Sequence, residues 1–264
     1  MIEVLFLGVG AALPASGQTN ASYILRTSDA CVLIDCGPAI LQQLASVNLS
    51  PGAITHLFFT HRHGDHTLGY PMLTLWWSNA APLDAKQPTV IASEVTWQTL
   101  EQLVAAAFGI DDAGKLAPQR ISLPQADTRI SLTPGITLRA IPMVHHAFAP
   151  VLGVRFEIDG HSFAFTGDTM PTNAVMDLAQ NADLLVHDST YSATLNPEAA
   201  NGKAGHSTAQ WAARHAAMAG VKHLALVHLD VMYQGKENIF LEEAKREYGG
   251  QVSVPVPGTL FSFE

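Results

Sequence analysis

Basic residues are scarce in this chain. Lys and Arg number 14 against 23 Asp and Glu among 264 residues, a formal charge of −9 with His neutral. They are scattered and form no stripe. Phosphate contacts dominate nucleic-acid affinity and need clustered cations, so no nucleic-acid partner is expected. Cysteine is nearly absent. Cys31 and Cys36 flank the strand-like run Val32-Leu33-Ile34-Asp35. Extended chain carries their Cα atoms beyond disulfide reach, and two reduced, buried thiols suit a cytoplasmic location. Long apolar runs are missing, and none reaches the ~18 residues of a membrane span. Leu5 to Ala15 imitates the apolar part of a secretion signal, but Glu3 stands where basic residues would precede it. No repeat, low-complexity tract or flexible linker interrupts the chain, so one domain over 1–264 is expected.

Apolar character is plentiful. Hydrophobic residues make up 48% and charged residues 14%, a composition that buries a large core. Strands are predicted at Ile2–Leu7, Ser22–Arg26, Cys31–Ile34, Ile54–Phe59 and Val90–Ala92. Helices are predicted at Pro38–Leu44, from His66 to about Trp77, and at Val95–Phe108. Ile121–Leu123, Ile130–Leu132, Ile136–Ile141, Val151–Ile158 and Ser162–Phe165 read as one antiparallel meander, with Asp159-Gly160 as a hairpin turn. Helices at Asn173–Ala179, Thr208–Met218 (N-capped by Ser207) and Asn238–Glu247 then alternate with strands Leu184–Val186 and Leu224–Val227. Val252–Val254 and Thr259–Phe263 close the chain as strands. The mixture predicts an α+β fold, two facing mixed β-sheets with helices outside.

The chemistry concentrates in His61-Arg62-His63-Gly64-Asp65-His66, which follows the buried strand directly. On a tight loop His61 and His63 can address one metal while Asp65 and His66 address a second, with Gly64 permitting a sharp turn between the pairs. Imidazole nitrogen and carboxylate oxygen are natural ligands of Zn²⁺ or another borderline divalent ion.

This loop resembles the signature of the metallo-β-lactamase superfamily, H-x-H-x-D-H. The resemblance extends along the chain in order, through Gly8-Val9-Gly10 with Asn20, Leu33-Ile34-Asp35-Cys36-Gly37 and Phe165-Thr166-Gly167-Asp168-Thr169. It implies a four-layer αβ/βα sandwich and two divalent ions, Zn²⁺ with Mn²⁺ or Fe²⁺ as alternatives. One ion would sit on His61, His63 and His145, the other on Asp65, His66 and His228, with Asp168 bridging. Val144-His145-His146-Ala147 offers two adjacent candidates. Counting back from Gly153-Val154-Arg155 favours His145, with His146 as the alternative. Asp35 is a candidate to hold a ligand imidazole.

Two further segments, Leu184 to Tyr191 and Gly205-His206-Ser207-Thr208-Ala209, are similar to motifs of the tRNA 3′-end-processing (RNase Z) branch. There an acid, usually glutamate, pairs with a histidine beside the metals. Carried over, the catalytic residues would be Asp188 and His206, together with Asp65 orienting a metal-bridging hydroxide. His187 reads as a packing histidine. That branch grips tRNA with a long arm between the middle histidine and the bridging aspartate, and the 23 positions from His145 to Asp168 leave no room for one. The expected activity is therefore a dinuclear phosphodiesterase acting on a small-molecule ester, with arylsulfatase or lactonase as alternatives. A non-catalytic metal-binding protein on the same scaffold is the alternative of another class. A homodimer is compatible with this reading. Tyr70, Trp76, Trp77 and Phe148 are candidates for an apolar mouth.

Overall fold

The computed structural model describes residues 1–80, 87–109, 118–147 and 149–264. The chain divides into two compact units. The first comprises Met1–Val9, Gly17–Leu123 and Val256–Glu264, and the second Gly10–Ser16 and Pro124–Pro255.

Unit one carries β1 (Ile2–Gly8), β2 (Ser22–Arg26), β3 (Cys31–Ile34), β4 (His56–Phe58), β5 (Thr89–Ser93), β6 (Arg120–Leu123) and β14 (Leu260–Phe263). They order as β14-β1-β2-β3-β4-β5-β6, the first three junctions antiparallel and the last three parallel. Parallel neighbours need long crossovers, which include α1 (Ile40–Ser46), α2 (Gly64–Thr67), α3 (Tyr70–Asn79) and α4 (Glu94–Phe108). Leu7, Ile24, Leu33, Leu57 and Val90 of the strands share one core with Ile40, Leu44, Leu73, Leu100 and Val104 of the helices.

Several expectations change here. Ile121 to Leu123 is a strand, but it pairs in parallel with β5 rather than joining the meander. Periodicity reports that a run is a strand; it does not report its partner. The predicted strand Ile54–Phe59 narrows to β4 because Pro51–Ala53 forms a 3₁₀ turn capped by Ser50. The helix predicted from His66 breaks at Leu68-Gly69 into α2 and α3. A Cβ on Gly69 would stand 2.2 Å from the Gly37 carbonyl oxygen, so this close approach to the turn after β3 needs glycine.

Unit two carries β7 (Thr128–Thr133), β8 (Ile136–His146), β9 (Ala149–Ile158), β10 (His161–Phe165), β11 (Leu184–Asp188), β12 (His223–Val227) and β13 (Gln251–Ser253). The order β13-β12-β11-β10-β9-β8-β7 has three parallel junctions followed by three antiparallel ones. The meander is β7 to β10. Asp159 and Gly160, with φ of 49° and 83°, make the β9–β10 turn in the left-handed region that a tight hairpin demands. Helices α5 (Asn173–Ala179), α6 (Ala209–Ala219) and α7 (Glu237–Glu247) complete the unit. Ala209, Ala212, Ala213 and Ala216 of α6 are fully buried with Leu178, Leu224, Leu226 and Phe240. Thr208, not Ser207, caps α6 by accepting from Trp211 N; the Ser207 hydroxyl instead donates to Thr169 O at 2.8 Å.

Both cysteines are free and buried, and burial pushes Cys31 up to about 11 and Cys36 well above the usual thiol range. No helix among the described residues is long and apolar enough to cross a membrane.

Candidate metal centre

In unit one the apolar strand β4 delivers the chain through buried Phe59 and Thr60 to His61. His61 and His66 are buried, while His63 and Asp65 are half-buried. The His61 ring lies 4.7 Å from that of His63 and 4.3 Å from that of His66, and His66 Nε2 is 3.4 Å from Asp65 Oδ2. Gly64 does not make the sharp turn expected of it. It opens the right-handed α2, and a Cβ there would meet only the movable end of the exposed Leu68 side chain, Cδ1 at 2.9 Å.

Asp35, just past β3, organises the loop. Its carboxylate accepts from Thr60 N and Thr60 Oγ1, each at 2.8 Å, and from His66 Nδ1 at 2.7 Å. The Thr60 hydroxyl has one proton and gives it to Asp35, so it accepts from His61 Nδ1 at 3.0 Å. Both imidazoles thus carry a proton on Nδ1, which leaves Nε2 as the nitrogen that could ligate a metal. Asp35 holds this position with φ of 59°, an unusual conformation for a residue with a side chain.

Unit two presents its residues at strand ends, where open sheets place ligands. His145 lies at the end of β8, Asp168 beyond β10, Asp188 at the end of β11 and His228 beyond β12. His145 Nδ1 donates to Gly205 O at 2.6 Å, and His228 Nδ1 to Thr190 Oγ1 at 2.9 Å. The Thr190 hydroxyl must accept there, because its proton goes to Asp188 Oδ1 at 2.7 Å. The Nε2 atoms of His145 and His228 approach Asp168 Oδ2 and Oδ1, at 3.9 and 3.4 Å. Burial pushes the His145 pKa down to about 4 against the pull of Asp168, so this ring is neutral at pH 7. Two imidazole nitrogens gathered on one carboxylate are a donor set that fits a divalent ion. His228 adopts φ of 65°, a strain that fits its position among these groups. His146 is exposed, its ring 4.2 Å from that of His145, so of the two adjacent histidines the buried one faces Asp168.

Asp188 and His206 come together. Asp188 Oδ2 accepts from His206 Nδ1 at 2.8 Å and from Thr169 N at 2.9 Å, while Oδ1 takes Thr190 N at 3.0 Å as well as the Thr190 hydroxyl. Burial disfavours the Asp188 carboxylate, but the attraction of His206, its hydrogen bond and His228 outweigh that and lower its pKa. Asp188, His206 and His228 also converge within 4.8 Å of one another. Four hydrogen bonds already occupy the Asp188 oxygens, which suits a supporting carboxylate rather than a ligand. His206 Nδ1 is 4.0 Å from Asp168 Oδ2, and its ring stacks on His228 with centroids 5.2 Å apart.

Sequence reasoning missed Thr60, Thr169, Thr190 and the Gly205 carbonyl. Thr169, Thr190 and Gly205 lie within the quoted motifs and Thr60 directly precedes His61, so a hydroxyl beside a candidate ligand histidine was a signal there to be read. Tyr70 and Trp77 are buried in the core of unit one and Trp76 packs against it, so the expected mouth does not form from them; Phe148 lies outside the described residues.

The family model described as the Beta-lactamase superfamily domain matches residues 31–229. The chain belongs to the metallo-β-lactamase superfamily. Its α+β fold on two mixed β-sheets is the metallo-β-lactamase fold. A curated ribonuclease Z from Mycobacterium marinum is 30% identical over 96% of both chains. Among solved structures, the metallo-β-lactamase fold protein YhfI from Bacillus subtilis gives a TM-score of 0.80 at 20% identity, covering 98% of each chain. The short form of human tRNase Z gives 0.77 at 24% identity, again over 98% of each. This superfamily member is a metal-dependent hydrolase, and its ligands are of the kind that bind divalent metal ions.

The same relatives overturn one expectation. A small-molecule ester substrate with no nucleic acid was inferred from the −9 charge and the short His145–Asp168 interval, yet the curated relatives are ribonucleases. Net charge averages over the whole surface, whereas a phosphodiester meets only the few groups at the site. The interval is indeed filled by β9, its turn and β10. A missing arm bears on how a polynucleotide is gripped, not on which bond is cut.

Proposed function

We propose that this protein is a phosphodiesterase that hydrolyses RNA, with the two units acting together as one hydrolase domain over 1–264. Two divalent ions, Zn²⁺ in the first instance, would be the cofactors, with His61, His63, Asp65 and His66 the ligands that unit one would offer and His145, Asp168 and His228 those that unit two would offer. When bound, such ions bring a water molecule to a pKa of about 7 and polarise the scissile phosphoryl group. The observation that carries the reading is the Asp188–His206 pair, 2.8 Å apart beside Asp168 and His228.

The chain's own residues divide the remaining work. Asp188 accepts the Nδ1 proton of His206 and fixes that ring's tautomer, leaving Nε2 to hold or deliver a proton where negative charge develops on the substrate. Thr190 and Thr169 keep the Asp188 carboxylate from rotating. Asp65, half-buried at the start of α2, orients the attacking water. Asp35, the Gly205 carbonyl and the hydroxyls of Thr60 and Thr190 hold the ligand imidazoles with Nε2 presented.

The test is a substrate panel with Zn²⁺- or Mn²⁺-loaded protein: a tRNA with a 3′ extension, an unstructured RNA of equal length, bis(p-nitrophenyl) phosphate, an arylsulfate and a lactone. Metal-dependent RNA cleavage that chelator abolishes is the expected outcome. Turnover of the sulfate ester or lactone with both RNAs left intact would refute the proposal.

A further inference from the structure

His187 and His215 form a buried pair in unit two that the chemistry above leaves unused. His187 is fully buried at the end of β11, and His215 is 2% exposed on α6. A backbone carbonyl only accepts, so His187 Nδ1 bears the hydrogen donated to Asp188 O at 2.6 Å. Neutral His187 then accepts at Nε2, and its partner there is His215 Nδ1 at 2.9 Å. Burial holds both rings neutral, His187 pushed down to about 4 and His215 to about 3. The hydrogen-bond pattern is therefore unique, with each ring protonated on Nδ1. The rings lie 14° from parallel with centroids 5.2 Å apart. Trp211, one turn earlier on α6, packs against His215 at 5.9 Å and is tied by Nε1 to Ala200 O at 2.9 Å.

The position of this pair gives it consequence. Asp188 is the residue whose carboxylate holds His206, and α6 begins three residues after His206. Asp188 is thus tied toward α6 by its carboxylate, through His206, and by its main-chain carbonyl, through the buried rings. We infer that His187 and His215 are positioning residues, their hydrogen bond setting the Asp188 backbone against α6 and so keeping Asp188 and His206 in register for hydrolysis. The inference rests on the proposed role of Asp188 and His206. Removal of a supporting hydrogen bond one step from the reacting groups costs roughly ten- to a hundredfold in activity.

The experiment uses the Zn²⁺-loaded protein and the 3′-extended tRNA. His215→Leu removes the donor and should lower kcat by roughly ten- to a hundredfold, with KM and metal content unchanged. His215→Asn keeps an N–H near the Nδ1 position and should recover most of that loss. If His215→Leu fails to fold, His215→Gln, whose amide lies one bond further out, takes its place. In the wild-type protein, ¹⁵N–¹H correlation of the imidazoles should show both rings as the Nδ1–H form. An Nε2–H form on either ring overturns the inference, as does full kcat in His215→Leu where His206→Ala is impaired. Full kcat in His206→Ala instead overturns the role given to Asp188 and His206, and the inference with it.

Discussion

Each unit holds a histidine against a buried aspartate through a threonine-braced carboxylate, yet the two histidines sit in different surroundings. In unit one Asp35 takes Thr60 and His66; in unit two Asp188 takes Thr190 and His206. In each, the threonine hydroxyl also accepts from a second histidine, His61 or His228. The His66 side chain is 2% exposed and that of His206 is 16%. An enclosed imidazole with its Nδ1 proton committed suits a permanent ligand. The same device at a more open position leaves Nε2 able to exchange protons with a substrate. On the proposed function, one arrangement of three side chains would serve metal holding in one unit and proton handling in the other, with solvent access making the difference.

That contrast can be broken at three points. The largest effect is expected at Asp168, whose oxygens approach both His145 and His228. Asp168→Ala should reduce bound metal, read by elemental analysis, from about two equivalents to one or fewer. It should cut kcat by roughly 10³-fold or more, the several kcal/mol that metal ions supply. Two equivalents with full activity would show that Asp168 is no ligand.

His206→Ala should lower kcat by roughly 10²-fold with metal content unchanged, the range of a general acid or base, and Asp188→Asn by less. The double variant should be little worse than His206→Ala alone, because residues acting as a unit are non-additive. Loss of metal in His206→Ala would erase the distinction between His206 and His66. A strictly multiplicative double variant would show that the two residues act separately.

The smallest effect concerns pH. His187 and His215 have folded pKa values of about 4 and about 3, below an unfolded value of 6.5. Between those limits the unfolded chain binds protons that the folded chain refuses. Stability is therefore full above pH 6.5 and falls as pH drops toward 4, by about 1 kcal/mol per pH unit for each histidine. Urea unfolding of metal-free protein at pH 7, 6 and 5 reads this, and His215→Asn should flatten the slope. An unchanged slope in that variant would mean the pair is not buried and neutral in solution.

How much was legible depended on how local the signal was. The loop His61 to His66 needs no fold to be read, since six consecutive residues carry four donors. Asp159-Gly160 was legible for the same reason, because its turn chemistry is local. The candidate ligands of unit two lie 23 and 60 positions apart, at 145, 168 and 228, and were reached through family resemblance rather than from spacing. Partnering was least legible. Nothing in Ile121 to Leu123 says that it joins β5, and nothing in Leu260 to Phe263 says that it returns to β1.

By itself the sequence determined the element types, the large core, the metal-binding loop and the residue types needed for hydrolysis. These follow from apolar periodicity and from donor atoms placed close together along the chain. Only the tertiary structure decided which imidazole nitrogen donates a hydrogen bond, that His145 rather than His146 is buried beside Asp168, and that Thr190 and Gly205 hold the rings of His228 and His145. Those outcomes depend on hydrogen bonds between residues 25 to 60 positions apart. Only packing of the strand ends brings such groups within 3 Å, because each partner's position is set by the core beneath it and not by its neighbours in sequence.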